Sequence, residues 1–210
     1  MKKYKLYLFD FDGTILNTMP ALEVIFSKTY EHVGMKFDPK DTVYFSRIPI
    51  DVGYKMLNGD PEKFLEFCKY LEIAIDLPEA LASNHPYPET YEFLEYVKLN
   101  KIRTGIVTSN RTHHVKDVLR FMDIPEDAFD IYVGNKEYER FKPHPDPILK
   151  ALEIGKYKGA LTDVVYVGDA MNDALSAIAA GVDAVIIDRN DEYPDSDQYM
   201  RIHNLMELFK

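Results

Sequence analysis

Short apolar runs recur along the chain at residues 4–9, 104–107, 131–133, 164–167 and 184–187. Each has the length and the aromatic or β-branched character of a buried strand. Helical stripes separate the later runs. Leu94 and Val97 give one, and Val115, Val118, Leu119 and Met122 give another. Leu149 with Leu152, and Leu175 with Ile178 and Ala179, give two more. Strand alternating with helix predicts an α/β fold, a parallel sheet covered by helices on both faces.

The first strand is followed differently. Residues 17–84 contain no good strand and several helix signals. Asn17 or Thr18 can cap a helix with Pro20 in its first turn, and Leu22, Ile25, Phe26 and Tyr30 then share one face. Pro61 opens another helix, striped by Phe64, Cys68, Leu71 and Ile75. The alternation resumes after Pro86-Tyr87-Pro88. The expected organisation is an α/β core of residues 1–16 and 85–210, with a helical module, 17–84, inserted after the first strand. The polar stretch 188–198 reads as a solvated surface loop.

Composition narrows the function. The 210 residues carry a formal net charge of -10, which opposes binding to nucleic acid or to anionic membranes. An anionic substrate must therefore be attracted locally, by a metal ion or by placed Lys and Arg. Cys68 is the single cysteine, so no internal disulfide forms and a reducing compartment suits the chain. Lys2, Lys3 and Lys5 precede apolar residues, but that run stops at Asp10, too short for a signal peptide or a membrane span. The expected location is cytoplasmic. No oligomeric state follows from the pattern.

The chemistry gathers where the strands end. After the first come Asp10-Phe11-Asp12-Gly13-Thr14, and after the second Thr108, Ser109 and Asn110. A loop after the third carries Lys142, and after the fourth come Gly168, Asp169, Asn172 and Asp173. Parallel sheets bind ligands outside the carboxyl ends of their strands, so all four sets belong to one sheet edge. Asp10 and Asp12, two residues apart, repel each other unless a cation or a shared proton separates them. Gly13 allows a sharp turn, which the Thr14 hydroxyl can tie. Asp10, Asp12 and Asp169 offer hard oxygen ligands suited to Mg²⁺. Thr108, the Ser109 N–H and Lys142 can hold the oxygens of a phosphoryl group. Blander readings stand beside these: Thr108, Ser109 or Asn110 as a helix cap, Lys142 as a surface lysine, Asp169 and Asp173 as acids at a helix start. The shared edge favours the functional reading.

These motifs, in this order, resemble those of the haloacid dehalogenase superfamily of phosphatases. The four are Asp10-Phe11-Asp12-Gly13-Thr14, Thr108 closing Gly105-Ile106-Val107-Thr108-Ser109-Asn110, Lys142 before Pro143, and Gly168-Asp169 followed by Asp173. The chain is most similar to the phosphoglycolate phosphatase-like branch, with a Rossmann-like core and an α-helical cap between the first two motifs. Pro86-Tyr87-Pro88 resembles that branch's cap-to-core junction, with Glu89 where glycine is usual. The resemblance implies Asp10 as nucleophile and Asp12 as general acid and base. It implies a Mg²⁺ ion held by Asp10, Asp169 and the Asp12 carbonyl, with Asp173 supporting the metal from behind. Phe11, Thr108, Ser109, Asn110 and Lys142 would bind the substrate, a small phosphorylated metabolite. The helical cap would be a lid.

In the cap, the loop Phe45-Ser46-Arg47-Ile48-Pro49 is the candidate substrate reader, with Arg47 meeting an anionic group; Arg47 as a plain surface residue is the rival. The pair His113-His114 makes a poor chelate, because adjacent helical residues point about 100° apart, and reads as a helix start. Two alternatives to a phosphatase remain: a phosphomutase of the β-phosphoglucomutase type using the same residues, and a non-catalytic phosphate-binding regulatory protein.

Overall fold

The computed structural model of the chain describes residues 2–46, 48 and 50–210. Its strands are β1 (Leu6–Phe9), β2 (Leu16–Asn17), β3 (His85–Pro86), β4 (Thr104–Val107), β5 (Ile131–Val133), β6 (Val164–Gly168), β7 (Asp183–Ile187) and β8 (Met200–Ile202). Six of them form one sheet in the order β5-β4-β1-β6-β7-β8. Every neighbouring pair in it is parallel. β1 is central, with Leu8 opposite Gly105 on one side and Tyr166 on the other. All residues of β1, β4 and β6 are buried, which is why their sequences read as continuous rather than alternating apolar runs. The sheet gains one strand beyond the expected set. β8 pairs with β7, yet its three residues, Arg201 among them, are too few and too mixed to register as a run.

Residue contacts divide the chain into two compact units, Met1–Leu16 with Pro86–Lys210, and Asn17–His85. The second unit holds α1 (Met19–His32), α2 (Thr42–Phe45), α3 (Ile50–Met56), α4 (Phe64–Ala74) and α5 (Pro78–Ala82). In α1, Ile25, Phe26 and Tyr30 are buried, as their spacing requires. The Asn17 side chain accepts from the Met19 N–H at 3.2 Å, whereas Thr18 makes no side-chain cap. The core of this unit is aromatic. Tyr30, fully buried, lies 5.0 Å from Phe67 and 5.1 Å from Phe37 between ring centroids, separations at which edge and stacked ring contacts are favourable.

The first unit contains the sheet and α6 (Thr90–Leu99), α7 (Thr112–Phe121), α8 (Asp146–Ile154) and α9 (Met171–Ala180). Of the stripes expected of α8 and α9, only Leu152 is buried. Leu149, Leu175 and Ile178 are 44%, 41% and 40% exposed, while Ile148, Ala151 and Leu152, and Ala174, Ala177 and Ala180, are buried. Ala179 is exposed as well. The alanine face lets α9 lie close against β6 and β7, where a row of leucines would not fit a close-packed interior. No described helix is long and apolar enough to cross a membrane.

Candidate active site

The first two acids stand on the turn that follows β1. Asp10 extends the strand, its N–H donating to the Val167 carbonyl at 2.8 Å. The chain then folds over Phe11: the N–H groups of Thr14, Ile15 and Leu16 donate to its carbonyl at 3.3, 3.0 and 3.3 Å, and Gly13 donates to Leu16 at 2.9 Å. Backbone bonds thus close the turn. The Thr14 hydroxyl, expected to tie it, is buried and bonds to none of the described residues. Phe11 is fully buried, so only its backbone can meet a ligand. Gly13 is required twice over. Its φ is +73°, and a Cβ there would stand 2.2 Å from Oδ2 of Asp169, far inside van der Waals contact.

After β4, the Thr108 N–H donates to Val133 at 2.9 Å and its hydroxyl accepts from the Asn110 N–H at 3.0 Å. Since α7 begins only at Thr112, Thr108 is not its cap. Asn110 Nδ2 approaches Oδ2 of Asp12 at 3.5 Å, joining the second set to the first. Ser109 is exposed, its carbonyl held by the Asn135 amide at 3.0 Å. The Tyr138 hydroxyl donates to the Thr108 carbonyl at 2.9 Å.

Lys142 reaches the centre from the loop before α8. The Lys142–Pro143 peptide is cis, and the Ser176 hydroxyl of α9 donates to the His144 carbonyl at 2.7 Å, fixing the loop. The ammonium donates to Asp10 Oδ1 at 2.9 Å, Asp173 Oδ1 at 2.6 Å and the Tyr166 hydroxyl at 3.0 Å. An ammonium has three N–H donors, and all three are used. Asp173 is close because Gly168 has no side chain: a Cβ there would lie 2.2 Å from the Asp173 carboxyl carbon. The other Asp173 oxygen accepts from the Ala170 N–H at 3.1 Å.

Three carboxylates, those of Asp10, Asp169 and Asp173, offer oxygens that all lie within 4.8 Å of one another, around one ammonium. Burial pushes the Asp10 carboxyl well above the usual carboxylate range; Lys142 opposes this, and Asp173, Asp169 and Asp12 add to it. Burial, then the Asp173 charge, pushes Asp169 up to about 7. For Lys142, burial favours the neutral amine, but the charges of Asp10 and Asp173 outweigh it and hold the ammonium well above its ordinary value. A cluster with more acids than cations, made of hard oxygen donors, fits a divalent ion such as Mg²⁺. Both Asp173 oxygens already have donors, which leaves Asp10 and Asp169 better placed as ligands.

The structure therefore gathers Asp10, Asp12, Thr108, Asn110, Lys142, Asp169 and Asp173 at one sheet edge, with Ser109 and the Phe11 backbone adjoining. Arg47 lies outside the described residues. His113 and His114 open α7, the first exposed and the second buried. Tyr166 escaped the sequence reading. It is buried in β6, bonding Lys142 and donating its proton to Val107 O at 2.9 Å or Asp173 Oδ1 at 3.2 Å. A tyrosine inside an otherwise apolar strand was the available signal, since a buried hydroxyl needs a partner.

A parallel sheet bearing acids, a hydroxyl and a buried lysine at its carboxyl edge marks an α/β protein with a site suited to phosphate. The chain belongs to the haloacid dehalogenase-like hydrolase family, which matches residues 7–187. Among its relatives, a phosphoglycolate phosphatase of Nitrosococcus oceani is 25% identical, covering 98% of each chain. A pyrophosphatase PpaX of Halalkalibacterium halodurans is 28% identical over 86% of this chain and 81% of its own. The crystal structure of a HAD-superfamily hydrolase, subfamily IA, variant 1, from Geobacter sulfurreducens has the same fold. It superposes with a TM-score of 0.76 at 23% identity, covering 98% of this chain and 94% of that one.

Proposed function

We propose that the protein is a Mg²⁺-dependent phosphatase of a small phosphorylated metabolite, working through a phosphoryl group carried on Asp10. Asp10 attacks phosphorus in line. Asp12 protonates the departing oxygen and then takes a proton from the water that releases the phosphate. Thr108, the Ser109 N–H and Asn110 hold the phosphoryl oxygens, and Lys142 binds the phosphoryl group by its charge, turning a donor from Asp10 to it as the group arrives. Asp10, Asp169 and the Asp12 carbonyl would hold the metal, which when bound offsets the repulsion between the phosphate and Asp10. Asp173 holds Lys142 in place and stands behind the metal. Residues 17–84 act as the lid, and Arg47 as its reader.

The observation that carries this reading is the Lys142 ammonium, buried between Asp10 and Asp173. A dianionic phosphate can approach Asp10 only where fixed positive charge compensates both. The relatives' names make 2-phosphoglycolate and pyrophosphate the first substrates to try. The test is turnover of these and of p-nitrophenyl phosphate with Mg²⁺, by the wild type and by Asp10→Asn. We expect the variant to lose roughly 10³-fold or more, as for other nucleophile replacements. Turnover near the wild-type rate would remove Asp10 from its role.

A further inference from the structure

The guanidinium of Arg189, in the loop after β7, joins four segments of the α/β unit. Nη1 donates to Glu89 Oε1 at 2.6 Å and to the His203 carbonyl at 3.3 Å, and Nη2 donates to the Thr14 carbonyl at 3.1 Å. Its carbon lies 3.5 Å from the centroid of the Tyr87 ring, a cation–π stack. The same Glu89 oxygen accepts from the Leu205 N–H at 3.4 Å. The two side chains are only 17% and 12% exposed. Beside Glu89, the buried Thr90 hydroxyl donates to the Ile15 carbonyl at 2.8 Å.

Two consecutive carbonyls of the turn after β1, those of Thr14 and Ile15, are therefore each held by a side chain from elsewhere. The N–H groups of residues 13–16 bond within the turn itself. The Thr14 and Ile15 carbonyls are thus backbone handles by which the rest of the unit fixes it. A planar fork suits this task, because one arm can keep its carboxylate while the other reaches the carbonyl.

We propose that Arg189, held by Glu89 and stacked on Tyr87, is a positioning residue: with Thr90 it fixes the turn that carries Asp12. The inference rests on the assignment of Asp10 and Asp12 as the reacting acids. The test compares Arg189→Met, Arg189→Lys and Thr90→Val with the wild type in two readouts, steady-state kinetics with p-nitrophenyl phosphate and amide hydrogen exchange at residues 14–16. For Arg189→Met, kcat should fall about 10- to 100-fold, the cost of a small misplacement at a reacting centre. KM should stay within about threefold, because binding is not what is lost. Exchange at 14–16 should quicken by about tenfold or more, with the sheet amides unchanged. A folded Arg189→Met with wild-type kcat, or with a kcat loss but unaltered exchange at 14–16, overturns the proposal. If that variant does not fold, the other two decide: intermediate losses in both readouts support it, and wild-type values in both overturn it. A wild type that turns over no phosphomonoester would instead refute the functional reading, and exchange would still report whether Arg189 fixes the turn.

Discussion

Replacing Lys142 by methionine tests the electrostatic centre directly. The side chain is 8% exposed, and its partners Asp10 and Asp173 are 10% and 3% exposed. Methionine fills similar space but withdraws all three N–H donors. Two carboxylates are then left buried without a counter-ion, a change that costs about 3–5 kcal/mol when one partner of a buried pair is removed. The loss should depend on pH, and its sign follows from Asp10. That carboxyl is held above the ordinary range by burial, and Lys142 is the charge opposing the rise. Without Lys142 the folded variant retains a proton that the unfolded chain has released. Stability then falls as pH rises from the ordinary carboxylate range to the raised value. The deficit against wild type should grow by up to about 1.4 kcal/mol per pH unit for each extra proton retained. Near pH 5 a proton partly substitutes for the ammonium; near pH 8 it does so at greater cost. Urea unfolding of both proteins at these two pH values in EDTA measures the difference. A deficit below about 1 kcal/mol at pH 8, or one equal at both pH values, would refute the claim that the ammonium neutralises buried charge.

Gly13→Ala should cost about 1–2 kcal/mol from the left-handed φ alone, more from the displacement of Asp169, and should abolish turnover; a folded variant with wild-type kcat would sink the account of that turn. Asp169, raised to about 7, binds a proton in the folded state that the unfolded state lacks between about pH 4 and 7. Metal-free stability should therefore decline across that window, and Mg²⁺ should raise the melting temperature more near pH 8 than near pH 5. Equal Mg²⁺ shifts at the two pH values, read by scanning fluorimetry, would remove Asp169 as a ligand.

The sheet was legible because burial on both faces writes each central strand as an uninterrupted apolar run. The site was legible because parallel strands release their loops at one edge, so residues distant in sequence, Asp10, Thr108, Lys142 and Asp169, needed only their positions after strand ends to be grouped. What stayed hidden depended on side-chain partners or on size. The buried stripe of α9 is alanine, and a hydrophobicity pattern follows the larger Leu175 and Ile178 to the wrong face. β8 is three residues of mixed character. Tyr166 looks like one more strand residue until its hydroxyl is placed against Lys142. Glu89 has its partner 100 residues away in Arg189, which no local pattern shows.

The hidden contacts have a common physical origin. Crowding Asp10, Asp169 and Asp173 about one point raises the energy of the folded chain whenever no added cation is bound, and the fold must resist relaxing away from that arrangement. It does so with rigid geometry as well as with the Lys142 charge. Gly13 and Gly168 let backbone and carboxylate approach to distances that any side chain would forbid. Ser176 fixes the loop of Lys142, and Tyr166 ties the ammonium to the end of β4. Motif residues state which groups react. Their supports, drawn from every neighbouring element, determine whether those groups remain close enough to do so, and a linear pattern carries no record of that closeness.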